Sequence, residues 1–132
     1  MICAGGGGVP VTVGADGAIT GIEAVIDKDL VSTQLAIELG ADALLLLTDV
    51  DAAFVDWGSP SARAIRGAGP DPLRRLEFAS GSMGPKIEAA CRFVESGGKF
   101  AAIGALHDAE AVLRGDSGTR IDAQTTALTY WS

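Results

Sequence analysis

The sequence predicts an α/β protein built on a mainly parallel sheet. Residues 43–47 and 100–103 are short, continuous apolar runs bounded by polar residues, which is typical of strands covered on both faces. Segments with helical periodicity that end at glycine alternate with these runs. Such alternation favours three layers, α/β/α, with helices packed on both faces of the sheet. The chain of 132 residues is long enough for one domain with its own core.

The first part of the chain predicts a hairpin followed by a helix. Residues 10–13 and 19–26 are extended segments separated by glycine-rich turn chemistry. Asp27 can cap a helix that continues to residue 39, and Gly40 is a suitable stop. The apolar residues of this helix recur at every fourth position and should form its buried face: Val31, Leu35 and Leu39.

The second half predicts one strong helix among weaker elements. Residues 85–96 place their apolar side chains on one face, namely Ile87, Ala90, Cys91 and Val94. Glu88 and Arg92 are spaced to form an ion pair across one helical turn. Residues 52–69 are punctuated by glycine and proline, so we expect an irregular segment. The remaining expected elements are a short helix at 72–79, a strand at 100–103, a helix at 108–114, a strand at 119–121 and a tail without pattern at 122–132.

Composition excludes several classes of function. The net charge of −7 argues against a broad nucleic-acid surface, and no apolar segment is long enough to cross a membrane. Cys3 and Cys91 are far apart and have no partner at metal-ligand spacing, so we expect two free thiols in a reducing cytoplasm. Trp57 and Trp131 belong to no motif, and we assign them only local packing.

Glycines and aspartates follow two predicted strands, one ending at residues 2–4 and one at residues 43–47, at their carboxyl ends, where open α/β sheets bind ligands. Residues 5–8 are all glycine, which suits either close approach of the backbone to a ligand or a flexible turn. The second stretch, residues 48–51, contains two aspartates that could bind a metal or a ribose hydroxyl. Asp51 could equally be an ordinary turn residue.

Two lysines occupy predicted helix starts, where free N–H groups and the helix dipole favour anions. Lys28 lies between Asp27 and Asp29, either as a capped, solvated terminus or as a cation directed at phosphate. Lys86 follows two glycines and a proline in residues 81–86, an arrangement that suits phosphate. The stretch is not a P-loop, because Ile87 stands where a hydroxyl is needed.

Taken together, these stretches resemble the amino acid kinase superfamily, and more closely the carbamate kinases. The matching segments are residues 4–11, 23–30, 47–52, 81–86, 88–93 and 118–121, in the same order and with the same spacing. The resemblance covers residues 2–121 and corresponds to the C-terminal, nucleotide-binding lobe of a family member. It therefore implies that residues 1–121 form that lobe and that residues 122–132 form a tail.

The resemblance implies a reversible phosphoryl transfer between ATP and carbamate, which gives ADP and carbamoyl phosphate and uses Mg²⁺ with the nucleotide. The lysine that matches Lys86 contacts the nucleotide phosphates, and the lysine that matches Lys28 lies beside the transferring group. The aspartate that matches Asp29 orients these cations. No residue is implied as a direct metal ligand. The residues implied in nucleotide binding are Gly6, Gly7, Gly8, Thr48, Asp49, Asp51, Phe54, Met83, Gly84 and Lys86.

Two departures from the family pattern limit this expectation. Phe54 stands where the family often has tyrosine, and the family's N-terminal lobe, with most of the carbamate site, has no counterpart here. We therefore expect half of a carbamate kinase that needs its other half, or else a nucleotide-binding remnant that self-associates. Either way, the chain by itself should show little or no turnover. An apolar edge near residues 1–4 should favour a homo-oligomer. An NAD-binding domain is disfavoured, because the third glycine of that fingerprint is missing.

Overall fold

The computed structural model describes residue 3 and residues 6–132, and within them strands and helices alternate. A 3₁₀ turn, Leu106–Asp108, precedes the last helix. The strands are β1 (Val11–Val13), β2 (Ile19–Gly21), β3 (Ala43–Thr48), β4 (Phe54–Val55), β5 (Arg63–Ala68), β6 (Phe100–Ala105), β7 (Thr119–Ile121) and β8 (Thr129–Tyr130); the helices are α1 (Lys28–Glu38), α2 (Pro70–Arg74), α3 (Met83–Glu95) and α4 (Ala109–Arg114).

The main sheet has the strand order β3-β6-β7-β5-β4, and β8 also pairs with β5. The pairs β3–β6 and β5–β7 are parallel, and the antiparallel pair β6–β7 joins them into one mixed sheet. Helices cover both faces. Ala101 and Ile103 of β6 belong to the same buried core as α3, whereas Gly104 faces α4. A Cβ on Gly104 would lie 2.5 Å from Cγ2 of Val112, so this close packing requires glycine. The predicted α/β class is confirmed.

Helix α3 is the centre of the core. Its predicted apolar face is buried as expected, and Phe93 beside it is 1% exposed. The expected pair between Glu88 and Arg92 forms, with Nε of Arg92 donating to Oε1 of Glu88 at 2.7 Å. The helical period of the sequence was sufficient to predict the buried face of α3, because that face is uniformly apolar.

The predicted buried face of α1 is wrong. Leu39 is 73% exposed and Val31 and Leu35 are half-buried, whereas Thr33 is 2% exposed. The hydroxyl of Thr33 donates to the carbonyl oxygens of Asp29 and Ala89, so its burial leaves no polar group unsatisfied. The face of α1 that contains Thr33 therefore packs against α3. The spacing of apolar residues alone could not predict this orientation, because the buried residue is a threonine.

Residues 52–69 are not irregular, as the sequence suggested, because they contain β4 and the central strand β5. Two arginines break the apolar alternation of β5, and both lie over aromatic rings near the end of the chain. The Cζ atom of Arg63 is 4.0 Å from the ring centroid of Tyr130, and that of Arg66 is 4.9 Å from the ring centroid of Trp131. Strand β8 brings those rings to β5.

Three predicted boundaries also need correction. The second strand of the hairpin ends at Gly21 rather than at residue 26. The short helix expected at 72–79 is α2, which begins earlier, because Pro70 is well suited to the first turn of a helix, and already ends at Arg74. Residues 122–132 were expected to lack pattern, yet β8 lies within them.

Strands β1 and β2 form a separate two-stranded sheet. Their register pairs Val13 with Ile19 and Thr12 with Thr20, so the valine and isoleucine share one face and the threonines the other. The apolar face is open, with Val13 67% and Ile19 71% exposed. Within the described residues, no helix is long and apolar enough to cross a membrane.

Candidate functional site

A buried ion pair joins the first turns of α1 and α3. Nζ of Lys86 donates to Oδ2 of Asp29 at 2.7 Å, and the two side chains are 11% and 12% exposed. Asp27 does not compete for this lysine, because its carboxylate caps α1 by accepting from the backbone N–H groups of Asp29 and Leu30. The local sequence thus assigns one aspartate to the cap and the other to the ion pair.

Lys86 lines a cavity of about 320 Å³, a volume in the usual range for small-molecule sites. Four segments form its wall: the end of β3 and the residues after it, strand β4 with the turn that follows, the segment before α3, and the first turn of α3. Its lining residues are Thr48, Asp49, Val50, Ala52, Phe54, Trp57, Glu77, Phe78, Ala79, Ser82, Met83 and Lys86. A larger depression of about 410 Å³ lies beside α2, but none of its lining side chains is a buried charge.

Several residues expected in the site do meet here. Thr48, Asp49, Phe54, Met83 and Lys86 all line the cavity. They come from segments that are distant in the chain and meet beside the carboxyl end of β3. Asp29 lies behind Lys86 as its ion-pair partner.

Asp51 and Gly84 were expected in the site but lie outside the cavity lining, as do Gly6, Gly7 and Gly8. Asp51 faces a neighbouring depression of about 440 Å³ that it shares with His107, Asp108 and Asp116. Gly84 supports the wall instead, since its N–H donates to the carbonyl oxygen of Ala79 at 2.9 Å. A Cβ on Gly84 would lie 3.2 Å from that oxygen, so a side chain there would press on the segment before α3.

The glycine run packs against the start of α1. Gly7 is buried with φ of +137°, and a Cβ there would lie 2.8 Å from the carbonyl oxygen of Ile26. Gly6 and Gly8 have open space around them, while Gly5 and the strand end expected at Ile2 and Ala4 lie outside the described residues. Lys28 is exposed beside this loop, and the carboxylates on either side of it are engaged elsewhere.

The sequence did not reveal Trp57, Glu77 or Phe78 as cavity residues, whereas Ser82 belongs to the stretch 81–86 that it singled out. Trp57 lies beside Phe54, with ring centroids 4.8 Å apart and planes inclined at 59°. Because residues 52–69 had no detectable period, no pattern could place the two rings on one wall. Phe54 and Trp57 are three positions apart. This spacing would have predicted their contact only if the end of the strand at residue 55 had been known.

Charges near α3 are largely structural. Arg74 contacts both Glu88 and Glu95, which ties α2 to α3. Hydrogen bonds from Arg92 and Arg74 hold the pKa of Glu88 below its usual range, and those from Arg74 do the same for Glu95. Burial raises the pKa of the Cys91 thiol to about 11, so it is protonated near neutral pH and is no nucleophile. Among the described residues, no group of three His, Cys, Asp or Glu could hold a metal.

Comparison with known proteins decides the family. The model of the amino acid kinase family matches residues 2–104. The chain belongs to the amino acid kinase family. Among curated proteins, it is similar to the carbamate kinase of Haemophilus influenzae, with 48% identity over 132 residues that cover 100% of this chain and 43% of that protein. The carbamate kinase of Escherichia coli K12 is 54% identical over 121 residues, which cover 92% of this chain and 39% of that protein.

The fold agrees with a solved family member. Carbamate kinase from Giardia lamblia bound to AMP-PNP superposes with a TM-score of 0.87 and 40% identity, over 92% of this chain and 44% of that one. The resemblance to carbamate kinases predicted from the sequence is thus confirmed. This amino acid kinase chain spans about two fifths of the length of the curated relatives that it matches.

Proposed function

We propose that this chain forms the nucleotide-binding side of a carbamate kinase-type site, which transfers a phosphoryl group reversibly between ATP and carbamate. The observation that carries the proposal is the buried Lys86 in the wall of a cavity that it shares with the apolar side chains of Phe54 and Met83. A fixed cation beside an apolar space suits a molecule with an anionic tail and a flat apolar head. The relatives named as carbamate kinases, and the one bound to AMP-PNP, support the same assignment.

Each residue has a role in this proposal. Lys86 donates to phosphate oxygens, and Asp29 holds its ammonium group in position. Lys28 is exposed on a four-carbon stem and is free to follow a phosphoryl group in transfer. The loop of Gly6, Gly7 and Gly8 brings backbone close to the reacting groups. Thr48, Asp49, Asp51, Phe54, Met83 and Gly84 complete the nucleotide side.

Phosphoryl transfer depends on positioning and charge neutralisation more than on covalent chemistry with the protein. Mg²⁺ supplies part of that neutralisation when it is bound to the nucleotide. No protein ligand for it is assigned, since the described residues contain no cluster able to hold a metal by themselves. Carbamate or carbamoyl phosphate would bind once the rest of the family's length is supplied. We place the protein in the cytoplasm, in keeping with its free cysteines.

A second candidate function is a nucleotide-binding module without turnover that associates with itself. The exposed apolar face of the β1–β2 hairpin favours this alternative. Carbamoyl phosphate-dependent formation of ATP separates the two candidates. Both candidates predict little or no turnover by the chain alone. If turnover returns when the other lobe is added, the result supports the kinase. Robust turnover by the chain alone rules out the module without turnover.

Isothermal titration calorimetry with ADP and with Mg·ATP tests nucleotide binding. We expect millimolar or tighter affinity in the wild type and a loss of about tenfold or more in Lys86→Met, because a charge-assisted hydrogen bond contributes about 1.5–3 kcal/mol. Lys99→Met is the matched control, since this lysine is 74% exposed and pairs with Asp42 on the surface. Its affinity should equal that of the wild type. Absence of binding in a folded wild-type chain would overturn the proposal.

A further inference from the structure

Residues 122–132, here called the C-terminal segment, are docked on the main sheet. A turn at the start of the segment returns the chain to β5, and in it the carboxylate of Asp122 accepts from the N–H and from the hydroxyl of Thr125 at 2.9 Å each. Strand β8 then pairs with β5 in the antiparallel direction, and Leu128 and Tyr130 pack against the main core. The segment is therefore an integral part of the folded domain.

The surface that receives the C-terminal segment is shaped for it. Gly69, directly after β5, leaves room for the backbone, since a Cβ there would overlap the carbonyl oxygen of Thr125. At the other end of the segment, the guanidinium of Arg66 lies over the ring of Trp131, whose face attracts the cation. A close approach of main chain at one end and a stacked ring at the other fix the segment in one register.

The backbone of Trp131 holds the strand that pairs with β4. Its N–H donates to the carbonyl oxygen of Ala64 at 3.0 Å, one residue beyond β8. Ala64 is also the register partner of Phe54, which lines the cavity beside Lys86. Because β4 has only two residues and lies at the edge of the main sheet, its position depends on that of β5.

The side chain of Trp131 reaches the same strand by a second route. Its Nε1 donates to the carbonyl oxygen of Gly118 at 2.8 Å. Gly118 precedes Thr119, whose hydroxyl accepts from the N–H of Ala53 at 2.9 Å. Ala53 lies directly before Phe54. Both routes from Trp131 therefore end at the part of the chain that carries Phe54 to the cavity wall.

We propose that Trp131 is a positioning residue for the nucleotide site and that it holds Phe54 at the cavity wall through Ala64 and Gly118. This inference rests on the proposed function, since it takes Phe54 to belong to the nucleotide side. Trp131 itself lies outside the cavity lining, so it acts without touching the ligand. Without Trp131, β4 is displaced in part of the molecules, and the apparent affinity falls with the fraction that still presents Phe54 correctly.

Hydrogen exchange of the ligand-free chain, measured by mass spectrometry, tests the positioning directly. In Trp131→Phe, residues 52–57 should exchange about fivefold faster than in the wild type, because one hydrogen bond is lost from the route through Gly118. Trp131→Ala also loses the ring over Arg66 and should exchange faster still. Val94→Ala is the control for stability alone, since this buried residue lies near the far end of α3 from Lys86. Its residues 52–57 should exchange as in the wild type.

Calorimetry on the same variants tests the consequence for binding. Trp131→Ala should weaken Mg·ATP by about threefold or more, whereas inorganic tripolyphosphate, which needs only the Lys86 end, should bind as in the wild type. Val94→Ala should leave both affinities unchanged. Trp131→Phe decides both measurements if Trp131→Ala does not fold.

The outcomes separate the inference from the proposed function. Unchanged exchange of residues 52–57 or unchanged Mg·ATP affinity in the Trp131 variants overturns the inference while the proposed function stands. Equal changes in Val94→Ala also overturn it, because they would follow from lost stability alone. A wild-type chain that binds neither Mg·ATP nor tripolyphosphate overturns both.

Discussion

Thr119 shows how one hydroxyl connects the segment before Phe54 to the main sheet. Its side chain is fully buried at the start of β7. Its Oγ1 donates to the carbonyl oxygen of Ile65 at 2.6 Å and accepts from the N–H of Ala53 at 2.9 Å. Ala53 lies just before β4, so this residue connects the strand that carries Phe54 to the centre of the sheet.

We expect Thr119→Val to destabilise the protein by about 3 kcal/mol, because it leaves a buried N–H and a buried carbonyl without their partner. Thr119→Ser keeps the hydroxyl and should cost about 1 kcal/mol, mainly for the lost methyl group. Urea unfolding of the three proteins measures the difference. Equal stability of the valine and serine variants would show that the hydroxyl contributes nothing.

At the scale of elements, the contact between α1 and α3 organises the charged end of the cavity. The two helices pack through Thr33 of α1, whose hydroxyl donates to the carbonyl oxygen of Ala89 in α3 at 3.3 Å. The pair between Lys86 and Asp29 sits at the end of this contact. Removing one partner of a buried pair leaves the other charge without compensation, which costs more than the pair itself contributes.

Asp29→Asn should therefore lower the free energy of unfolding by about 3 kcal/mol. Asp27→Asn is the matched control two positions away, because asparagine caps a helix about as well as aspartate and its effect should stay within about 0.5 kcal/mol. The double variant Asp29→Asn/Lys86→Met should recover part of the loss. Chemical denaturation measures the wild type, these three variants and the single variant Lys86→Met. A double variant as unstable as the sum of Asp29→Asn and Lys86→Met would contradict the coupling.

The sequence predicted those elements in which the buried face contains only apolar residues. The face of α3 and the strands β3 and β6 follow from uninterrupted apolar patterns. Strand β5 could not be found, because Arg63 and Arg66 interrupt its alternation and only aromatic rings from residues 130 and 131 compensate them. Trp57 was missed for a related reason, since its contact with Phe54 depends on the turn at Asp56.

At the scale of the whole molecule, the main core closes around α3 while the β1–β2 hairpin stays outside it. An isolated two-stranded hairpin is marginally stable in water. The apolar face of this hairpin includes Val13 and Ile19, and neither is covered. Met1, Ile2 and Ala4, where the sequence predicted an apolar edge, lie outside the described residues.

We predict that the chain self-associates through this face. Multi-angle light scattering at high concentration should give a mass above the 13.4 kDa of one chain. Ile19→Asp should shift the protein towards monomer, because it places a charge in the apolar face. Thr20→Asp is the matched control on the opposite face and should leave the mass unchanged. A wild-type chain that stays monomeric at all concentrations would contradict the prediction.

The pair between Asp29 and Lys86 also has a consequence for the order of folding. The two residues are 57 positions apart, and the chain between them passes through β3, β4 and β5. Closing so long a loop costs more chain entropy than any contact within a helix, so such contacts form after local ones. A refolding chain would acquire secondary structure and a collapsed core first. The charged end of its cavity would be assembled among the last events, so it serves as a marker of completed folding.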